Sequence, residues 1–476
     1  MVISTVTDGL TRGAERVTDA VNEALFEPVI RIGVTGLARA GKTVFITSLV
    51  ANLLERGRMP GLVAAAEGRI TAAFLQPQPD DTVPRFDFEH HLGTLTAPEP
   101  SWPDNTRAIS ELRLSLRVRP AGLLAGLTGP RTVHIDIVDY PGEWLLDLAL
   151  MDKSYGEWAA STLAALRARA IGAPFAALAD AAVTSGPWDD PQIKSLAAGF
   201  TDYLTAARDA GLSGIAPGRF LCPGEMAGSP ALTFAPLPAP EDRPDRRALW
   251  REMERRFDAY KAQVVAPFFR DHFSRIDRQI VLVDALGAIH SGPPALADLQ
   301  DTMTEILSAF RPGRNAFLSR LLRGRRVEKI LFAATKADHL HHTQHARLSA
   351  IMEALTAQAR SRADFSGAQT HAIAMASLRA TVEEIREHGG ESLECVRGTL
   401  LNPDGSRGRA AAFYPGALPD SPTDLLGPAR QGQQTWLDQD YQIMRFAPAR
   451  LSLKPGMGPP HIRLDRAAQF LIGDKL

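Results

Sequence analysis

The sequence predicts an α/β fold with a doubly wound, mostly parallel sheet, and three observations carry that expectation. A short apolar strand, residues 29–34, runs into Gly36-Leu37-Ala38-Arg39-Ala40-Gly41-Lys42-Thr43 and then into an apolar run, 44–54, with helical spacing. Strand-like segments at 279–284, 329–334 and 370–375 alternate with helical patterns, the rhythm of a parallel sheet covered by helices. Between these regions, residues 145–275 read as mostly helical, with Pro-rich interruptions, so a helical domain is inserted into the sheet.

Taken in order, residues 1–28 read as one amphipathic helix. Val6, Leu10, Val17, Val21 and Leu25 share a face, and Pro28 ends it. Packing on the main domain is its ordinary use; a membrane-surface helix is the sharper alternative. Residues 29–144 form the first part of the core. Within them, 59–105 are rich in Pro, Gly and Asp and are expected to be extended and loop-rich. Residues 111–118 alternate apolar and polar, 132–138 are apolar, and the two are expected to form an antiparallel pair. The inserted helical domain is placed at 145–275 and the second part of the core at 276–389. A C-terminal extension, 390–476, is expected to pack back on the core, with a strand at 441–446 and a short helix at 464–472.

Composition narrows the function classes. The 476 residues suffice for two or three domains, and 45% hydrophobic with 22% charged residues is ordinary for a globular chain. A formal net charge of −1 gives no electrostatic case for nucleic acid. Cys222 and Cys395 stand far apart, which argues against a disulfide framework or a cysteine zinc site and for a reducing cytoplasm. The Ala- and Leu-rich region 162–182 is broken by Arg167, Arg169, Pro174 and Asp180 and is not expected to span a bilayer.

The chemistry lies in short motifs at strand ends. In G-x-x-x-x-G-K-T the glycines Gly36 and Gly41 let the backbone curl. The amides from Ala40 to Val44 then turn toward phosphate oxygens, over a helix start with partial positive charge. Lys42 is the cation for the outer phosphates and Thr43 the hydroxyl for magnesium. After the strand ending at Val138 comes Asp139-Tyr140-Pro141-Gly142. Its carboxylate can hold magnesium through water, and its glycine amide can sense a γ-phosphate. The alternative for Asp139 is a turn-starting Asp, and Asp136 in the same strand reads as structural. Thr335-Lys336-Ala337-Asp338 ends the strand 329–334 and fits a guanine-reading pattern. The Asp accepts two hydrogen bonds that adenine does not offer, and Thr335 gives up one amide contact of the commoner Asn. An ordinary helix N-cap is the alternative for Asp338. Ala376-Ser377-Leu378 follows the next strand, where backbone N–H groups of Ser377 and Leu378 can meet a guanine oxygen. Thr106 is the preferred candidate, over Ser110, for a threonine that completes the metal shell.

Two positions bear on catalysis. Glu143 stands where a residue would orient attacking water, although its charge repels phosphate. The alternative is a surface residue beside the switch. Arg39, inside the loop, is a candidate internal arginine finger; otherwise it pairs with a carboxylate or meets the ribose or a partner. His339, His341, His342 and His345 cluster after Asp338. An i, i+4 pair can hold metal, but an exposed helix start is the expected reading. Arg311, Arg314, Arg320, Arg323, Arg325, Arg326 and Lys329 form a basic stretch, read as solvated, with anionic lipid or an acidic partner as the alternative.

The order of these motifs resembles the G-protein GTPases. A narrower resemblance covers essentially the whole chain. The loop 33–43, Trp102-Pro103 with Thr106, Asp139-Tyr140-Pro141-Gly142-Glu143-Trp144, the segment 278–284, Ala334-Thr335-Lys336-Ala337-Asp338 and the terminal Ile472-Gly473-Asp474-Lys475 are similar to the YcjX-like family of bacterial stress-associated P-loop GTPases. That resemblance implies GTP and GDP binding, magnesium, an inserted helical region and a link to envelope or heat stress. The expectation is a slow, switch-like GTPase in the cytoplasm. Its unknown protein partner would meet the helical insertion, and a peripheral contact with the inner membrane is an alternative placement. An ATPase or small-molecule kinase, and a nucleotide-binding scaffold with little turnover, are the competing classes.

Overall fold

The computed structural model describes residues 27–37, 40–104, 108–121, 129–308, 327–365, 367–402, 404–436 and 441–476. Its centre is a seven-stranded sheet in the order β2-β3-β4-β1-β5-β6-β7. These strands are β1 (Val29–Gly36), β2 (Ile70–Gln76), β3 (Ser110–Val118), β4 (Arg131–Asp139), β5 (Arg278–Val283), β6 (Lys329–Ala334) and β7 (Gln369–Ala374). β4, β1, β5, β6 and β7 run parallel, while β2 and β3 add an antiparallel edge. β5, Arg-Gln-Ile-Val-Leu-Val, is buried at all six positions, as a central parallel strand covered on both faces must be. The expected α/β architecture is therefore present. Parallel strands all end on one side, and those ends collect the motifs.

The two faces of the sheet are covered differently. On one face lie α1 (Lys42–Glu55) and the helix Leu464–Ile472, over aliphatic residues such as Ile30, Ile32, Leu112, Leu114 and Ile280. Buried Asn52 of α1 donates from Nδ2 to the Ser48 carbonyl (2.9 Å) and to that of Pro459 (3.0 Å), so the C-terminal strap satisfies a core amide. Asp474 accepts from Arg278 (3.0 Å) and Lys329 (2.7 Å) at the starts of β5 and β6, which gives the terminal Gly473-Asp474-Lys475 a structural use.

The other face meets the helices between β4 and β5. α2 (Tyr155–Arg167) opens with a capping box, Ser154 with Glu157. α3 (Asp190–Asp209) and α4 (Leu249–Tyr260) follow, and α4 continues through a π turn, Lys261–Val265. Their core is aromatic: Trp158 stacks on Phe257 at 5.0 Å and 19°, with Phe200, Phe234 and Tyr155 around the pair. This core is continuous with Tyr140, Val281, Val283 and Phe332 beneath the sheet.

Two expectations fail, and one sheet was not expected. Residues 59–105 are not merely extended: they contain a helical turn (Val63–Ala66), the strand β2 and a helix (Phe88–Thr96) capped by Asp87. β2 is an Ala-containing edge strand with a register shift against β3, so neither propensity nor alternation announced it. Residues 441–446 form no strand. They run beside residues 399–401 with a single bridge, Leu400 to Phe446. Beyond β7, the sequence reading passed over a three-stranded antiparallel sheet, β8 (Val382–His388), β9 (Glu391–Leu401) and β10 (Arg407–Phe413). Gly389 and Gly390, at φ +62° and +87°, make the β8–β9 turn, a Gly-Gly hairpin signal present in the sequence. The expected N-terminal helix up to residue 26 lies outside the described residues.

Candidate nucleotide-binding site

β1 delivers the chain to the loop, and α1 carries it away. Gly41 sits at φ +82° as the helix N-cap, a conformation that glycine takes without strain; a Cβ there would meet nothing within 4 Å. Gly36 is constrained in the opposite way, since its Cβ would lie 2.9 Å from Leu282 Cβ on β5 and 3.0 Å from Ala40 Cβ. The loop closes through Ala40 N–H donating to the Leu37 carbonyl (3.0 Å), and Lys42 Nζ donates back to the Gly36 carbonyl (3.2 Å). Lys42 is thus folded over the loop mouth at the N-terminus of a 14-residue helix. Ala38 and Arg39 lie outside the described residues.

β4 pairs with β1 so that Asp139 stands opposite Val34. Thr43, at the start of α1, is 7% exposed and Asp139 is 1% exposed. A hydroxyl and a carboxylate are hard oxygen donors, which suits Mg2+. Gly142 packs on the phosphate loop itself: a Cβ there would fall 2.0 Å from the Gly36 carbonyl oxygen. Glu143 is buried, 7% exposed, which overturns the alternative of a surface residue. Ser110 opens β3 directly across from Asp139, and Thr106 lies outside the described residues.

The T-K-x-D segment follows β6. Thr335 N–H donates to the Val283 carbonyl (2.9 Å), and Lys336 turns through φ +60°. Lys336 Nζ pairs with Asp284 Oδ2, while Asp284 Oδ1 accepts from Gly287 N–H (3.0 Å). Asp338 Oδ2 accepts from Ala380 N–H (2.8 Å), and the Thr381 hydroxyl donates to the Asp338 carbonyl. The carboxylate therefore ties two loops together and does not cap its own helix, contrary to the simpler alternative. Ala337 N–H donates to the Met375 carbonyl (3.1 Å), which brings Ala376, Ser377 and Leu378 to the same place.

One cavity of 360 Å³ joins these pieces. Its floor is Ala40, Gly41 and Val44, with Thr335, Lys336 and Asp338 and with Ala376, Ser377 and Leu378. Its roof is Trp102, Pro103, His339, Arg445 and Phe446. Trp102 Nε1–H donates to the Phe446 carbonyl (2.7 Å), and the His339 ring stands edge-on to Phe446 at 5.1 Å. Burial lowers the His339 pKa and favours the neutral ring. A neighbouring cavity of 230 Å³ shares Lys336, His339 and Arg445 and reaches Leu37, Glu143 and Asp284. Sequence reasoning gave no role to Arg445 or Phe446, and took His339 only as part of a histidine cluster and Asp284 only as the end of the segment 278–284. A strand-end carboxylate before a helix was a usable signal for Asp284; no local pattern marks Arg445 or Phe446.

The helical insertion grips the segment after Asp139. A Cβ on Gly218 would fall 2.1 Å from the Glu143 carbonyl oxygen. Trp144 Nε1–H donates to the Cys222 carbonyl (3.0 Å), and the Arg219 guanidinium covers the Trp144 ring at 3.1 Å. Asp147 accepts from Gly218 N–H (2.7 Å) and the Tyr260 hydroxyl (2.6 Å), and burial pushes its carboxyl up to about 7.

The histidines are not an exposed helix start. His345 is buried and donates from Nε2 to the Ala337 carbonyl (2.8 Å), and His341 is 6% exposed. Asp136 is buried between Arg113 (2.6 Å) and Arg31 (3.5 Å), as a structural role requires. Lys329 is spent on Asp474, and the arginines of the basic stretch lie outside the described residues. Among the described residues, no helix is long and apolar enough to cross a membrane.

Comparison with known proteins agrees with this geometry. Residues 30–476 match the model of the YcjX-like family, DUF463. A protein of Escherichia coli (strain K12) named "Ras-like GTPase YcjX" is 38% identical over 464 residues, covering 94% of this chain and 96% of its own length. A protein of the same name from Shewanella oneidensis is 34% identical over 472 residues, covering 94% of each. The chain belongs to the YcjX-like family.

Proposed function

We propose that this chain binds guanine nucleotide in the 360 Å³ cavity and hydrolyses GTP to GDP and phosphate, acting as a nucleotide-dependent switch. The observation that carries the reading is that one cavity is lined at once by the phosphate loop, by Thr335, Lys336 and Asp338, and by Ser377 and Leu378. The printed name of the two relatives, Ras-like GTPase, supports it.

In this reading the amides from Ala40 to Val44 and the Lys42 ammonium hold the phosphates. Asp338 accepts from guanine N1–H and the exocyclic amino group, and the Ser377 and Leu378 amides meet the guanine oxygen. The Lys336 stem lies along the base, fixed by its pair with Asp284. Magnesium, held by Thr43, Thr106 and Asp139, supplies charge neutralisation at the phosphates. The Gly142 amide senses the γ-phosphate, and Glu143 orients the water that attacks it. Arg39 is the internal finger that adds positive charge to the transition state. Because Glu143 is a carboxylate beside phosphate, turnover without a partner is slow. The same charge favours the second reading, a nucleotide-binding scaffold that barely turns over. The insertion, touching Glu143 and Trp144 directly, is the part that passes the switch to a protein partner. Cys222 and Cys395 stand far apart along the chain, in keeping with a cytoplasmic place. The link to stress, and any contact with the inner membrane, rests on the family resemblance and on the segments at 1–28 and 311–329.

Single-turnover hydrolysis of GTP with magnesium tests the proposal, with ATP as competitor and Arg39→Ala beside the wild type. GTP turnover that resists ATP and collapses in Arg39→Ala, with binding kept, supports a self-sufficient GTPase. Tight GTP binding with almost no turnover in either protein favours the scaffold, and equal competition by ATP sinks the guanine reading.

A further inference from the structure

Three residues past Asp338 the chain places two adjacent histidines against the second sheet. His342 Nδ1 lies 2.7 Å from Glu383 Oε2 on β8, and His341 Nε2 lies 3.8 Å from the same oxygen. One ligand atom from each of these three residues falls within 4.8 Å of the others. The rings stand 4.4 Å apart.

The protons around His341 can be assigned from its partners. The Thr343 hydroxyl donates to Glu394 Oε2 (2.5 Å), so its oxygen is left to accept, and His341 Nδ1, 3.0 Å away, supplies the N–H. Nε2 then carries a lone pair, and that lone pair faces a carboxylate oxygen across 3.8 Å. A positive charge between them, a proton or a metal ion, relieves that repulsion, and the second ring nitrogen beside the same oxygen, His342 Nδ1, makes a set of three ligand atoms that favours the metal. The geometry points to a divalent transition-metal site of the zinc class, with His341 Nε2, His342 Nδ1 and Glu383 Oε2 as ligands and water in the fourth position. Zn–N and Zn–O bonds of about 2.0–2.2 Å set tetrahedral ligands roughly 3.4 Å apart. The observed 2.7 and 3.8 Å bracket that spacing, and His342, 65% exposed, is free to rotate into it. The outer partners are of the kind that orient ligands: Thr343 and Glu394 on His341, and Arg379 on the other Glu383 oxygen (3.3 Å).

The site bridges the T-K-x-D turn to β8. Glu383 lies three residues beyond Ala380, whose N–H holds the Asp338 carboxylate. A bound ion would therefore stiffen the base-reading loop. That coupling rests on the guanine reading; metal binding itself does not.

The test strips the full chain with chelator and titrates zinc against a chromophoric competitor. We expect one zinc per chain with submicromolar affinity, a loss of at least about 30-fold in His342→Ala/Glu383→Gln, and no change in His388→Ala, a histidine outside the cluster. His342→Gln alone, at an exposed side chain, keeps the test valid if the double variant fails to fold. Zinc binding weaker than about 10 μM in the wild type, or undiminished in the variants, overturns the site. Release of a fluorescent GDP analogue, slowed several-fold by zinc in the wild type and not in His342→Gln, tests the coupling. Unchanged release with zinc bound overturns the coupling while leaving the metal site standing.

Discussion

The floor and the roof of the 360 Å³ cavity are assembled over different distances along the chain. Each piece of the floor lies within eight residues of a strand end: Ala40, Gly41 and Val44 after β1, Thr335 to Asp338 after β6, Ala376 to Leu378 after β7. The roof joins Trp102 to Phe446 by a hydrogen bond that spans 344 positions, and Phe446 reaches the site because its neighbours pair with β9: Leu401 N–H donates to the Arg445 carbonyl (2.7 Å) and Ala447 N–H to the Thr399 carbonyl (2.8 Å). Floor residues must present backbone amides and one carboxylate at fixed places, so glycine, lysine and aspartate recur at set spacing. In the proposed reading, roof residues need only cover a base and exclude water, a task open to many side chains. Specificity should therefore fail when the floor changes, and dwell time when the roof changes.

The sharpest test of that contrast is Asp338→Asn. It removes the acceptor proposed to read the guanine edge, and GTP affinity should fall at least about 100-fold while ATP competes better. A nucleotide competition titration reads both; a fall with discrimination intact would break the assignment of the floor. Next comes Gly142→Ala. Its φ of −63° suits any residue, so the cost is contact alone with the Gly36 carbonyl 2.0 Å away. We expect a loss of about 1–3 kcal/mol in thermal unfolding and depressed GTP turnover.

The roof should respond more weakly. Arg445 lines both cavities and makes no side-chain hydrogen bond or ion pair among the described residues. Arg445→Ala should speed GDP release roughly 5- to 10-fold, about 1–1.4 kcal/mol, and leave the GTP-to-ATP ratio unchanged. Stopped-flow release with both nucleotides decides it, and a changed ratio would move Arg445 into the floor. Trp102→Phe removes one donor to the Phe446 carbonyl and should cost about 0.5–1.5 kcal/mol in unfolding, with a smaller effect on release.

A pH series separates the insertion from the cavity. Burial raises the Asp147 carboxyl from 3.8 to about 7. The folded state thus holds a proton that the unfolded state gives up between these values. The relative stability it lends is present below about pH 4 and is lost as pH rises through about 7, with a slope of at most about 1.4 kcal/mol per unit. Asp147→Asn should flatten that slope. Part of it will persist because burial also raises Glu111 to about 7. Urea titrations at pH 5 and 7 measure the difference; an unchanged slope would remove Asp147 from the account.

Legibility followed the same division. β1, β4, β5 and β6 and the helix Leu464–Ile472 were read from apolar runs and periodicity, because fully buried strands have little choice of residue. β2 escaped notice as an edge strand, half exposed and shifted in register. The segment 441–446 has the apolar residues of a strand, Tyr441, Ile443, Met444 and Phe446, yet only Phe446 is buried, at a cavity roof and through a single bridge. Glu143 and His341 were weighed as surface groups. Nothing local told that the insertion would cover one and β8 the other.

The sequence by itself determined the parallel sheet, the helical interruption and the chemistry offered at the strand ends. Those follow from burial, turn geometry and backbone hydrogen bonding within a few residues, and each leaves a local pattern. Only the tertiary structure decided that Lys336 would be held by Asp284, that Gly142 would lie on Gly36, and that Trp102, Arg445 and Phe446 would close the cavity. Contacts between segments hundreds of residues apart depend on how the whole core packs. At each such position several side chains would serve, so no fixed pattern is written along the chain.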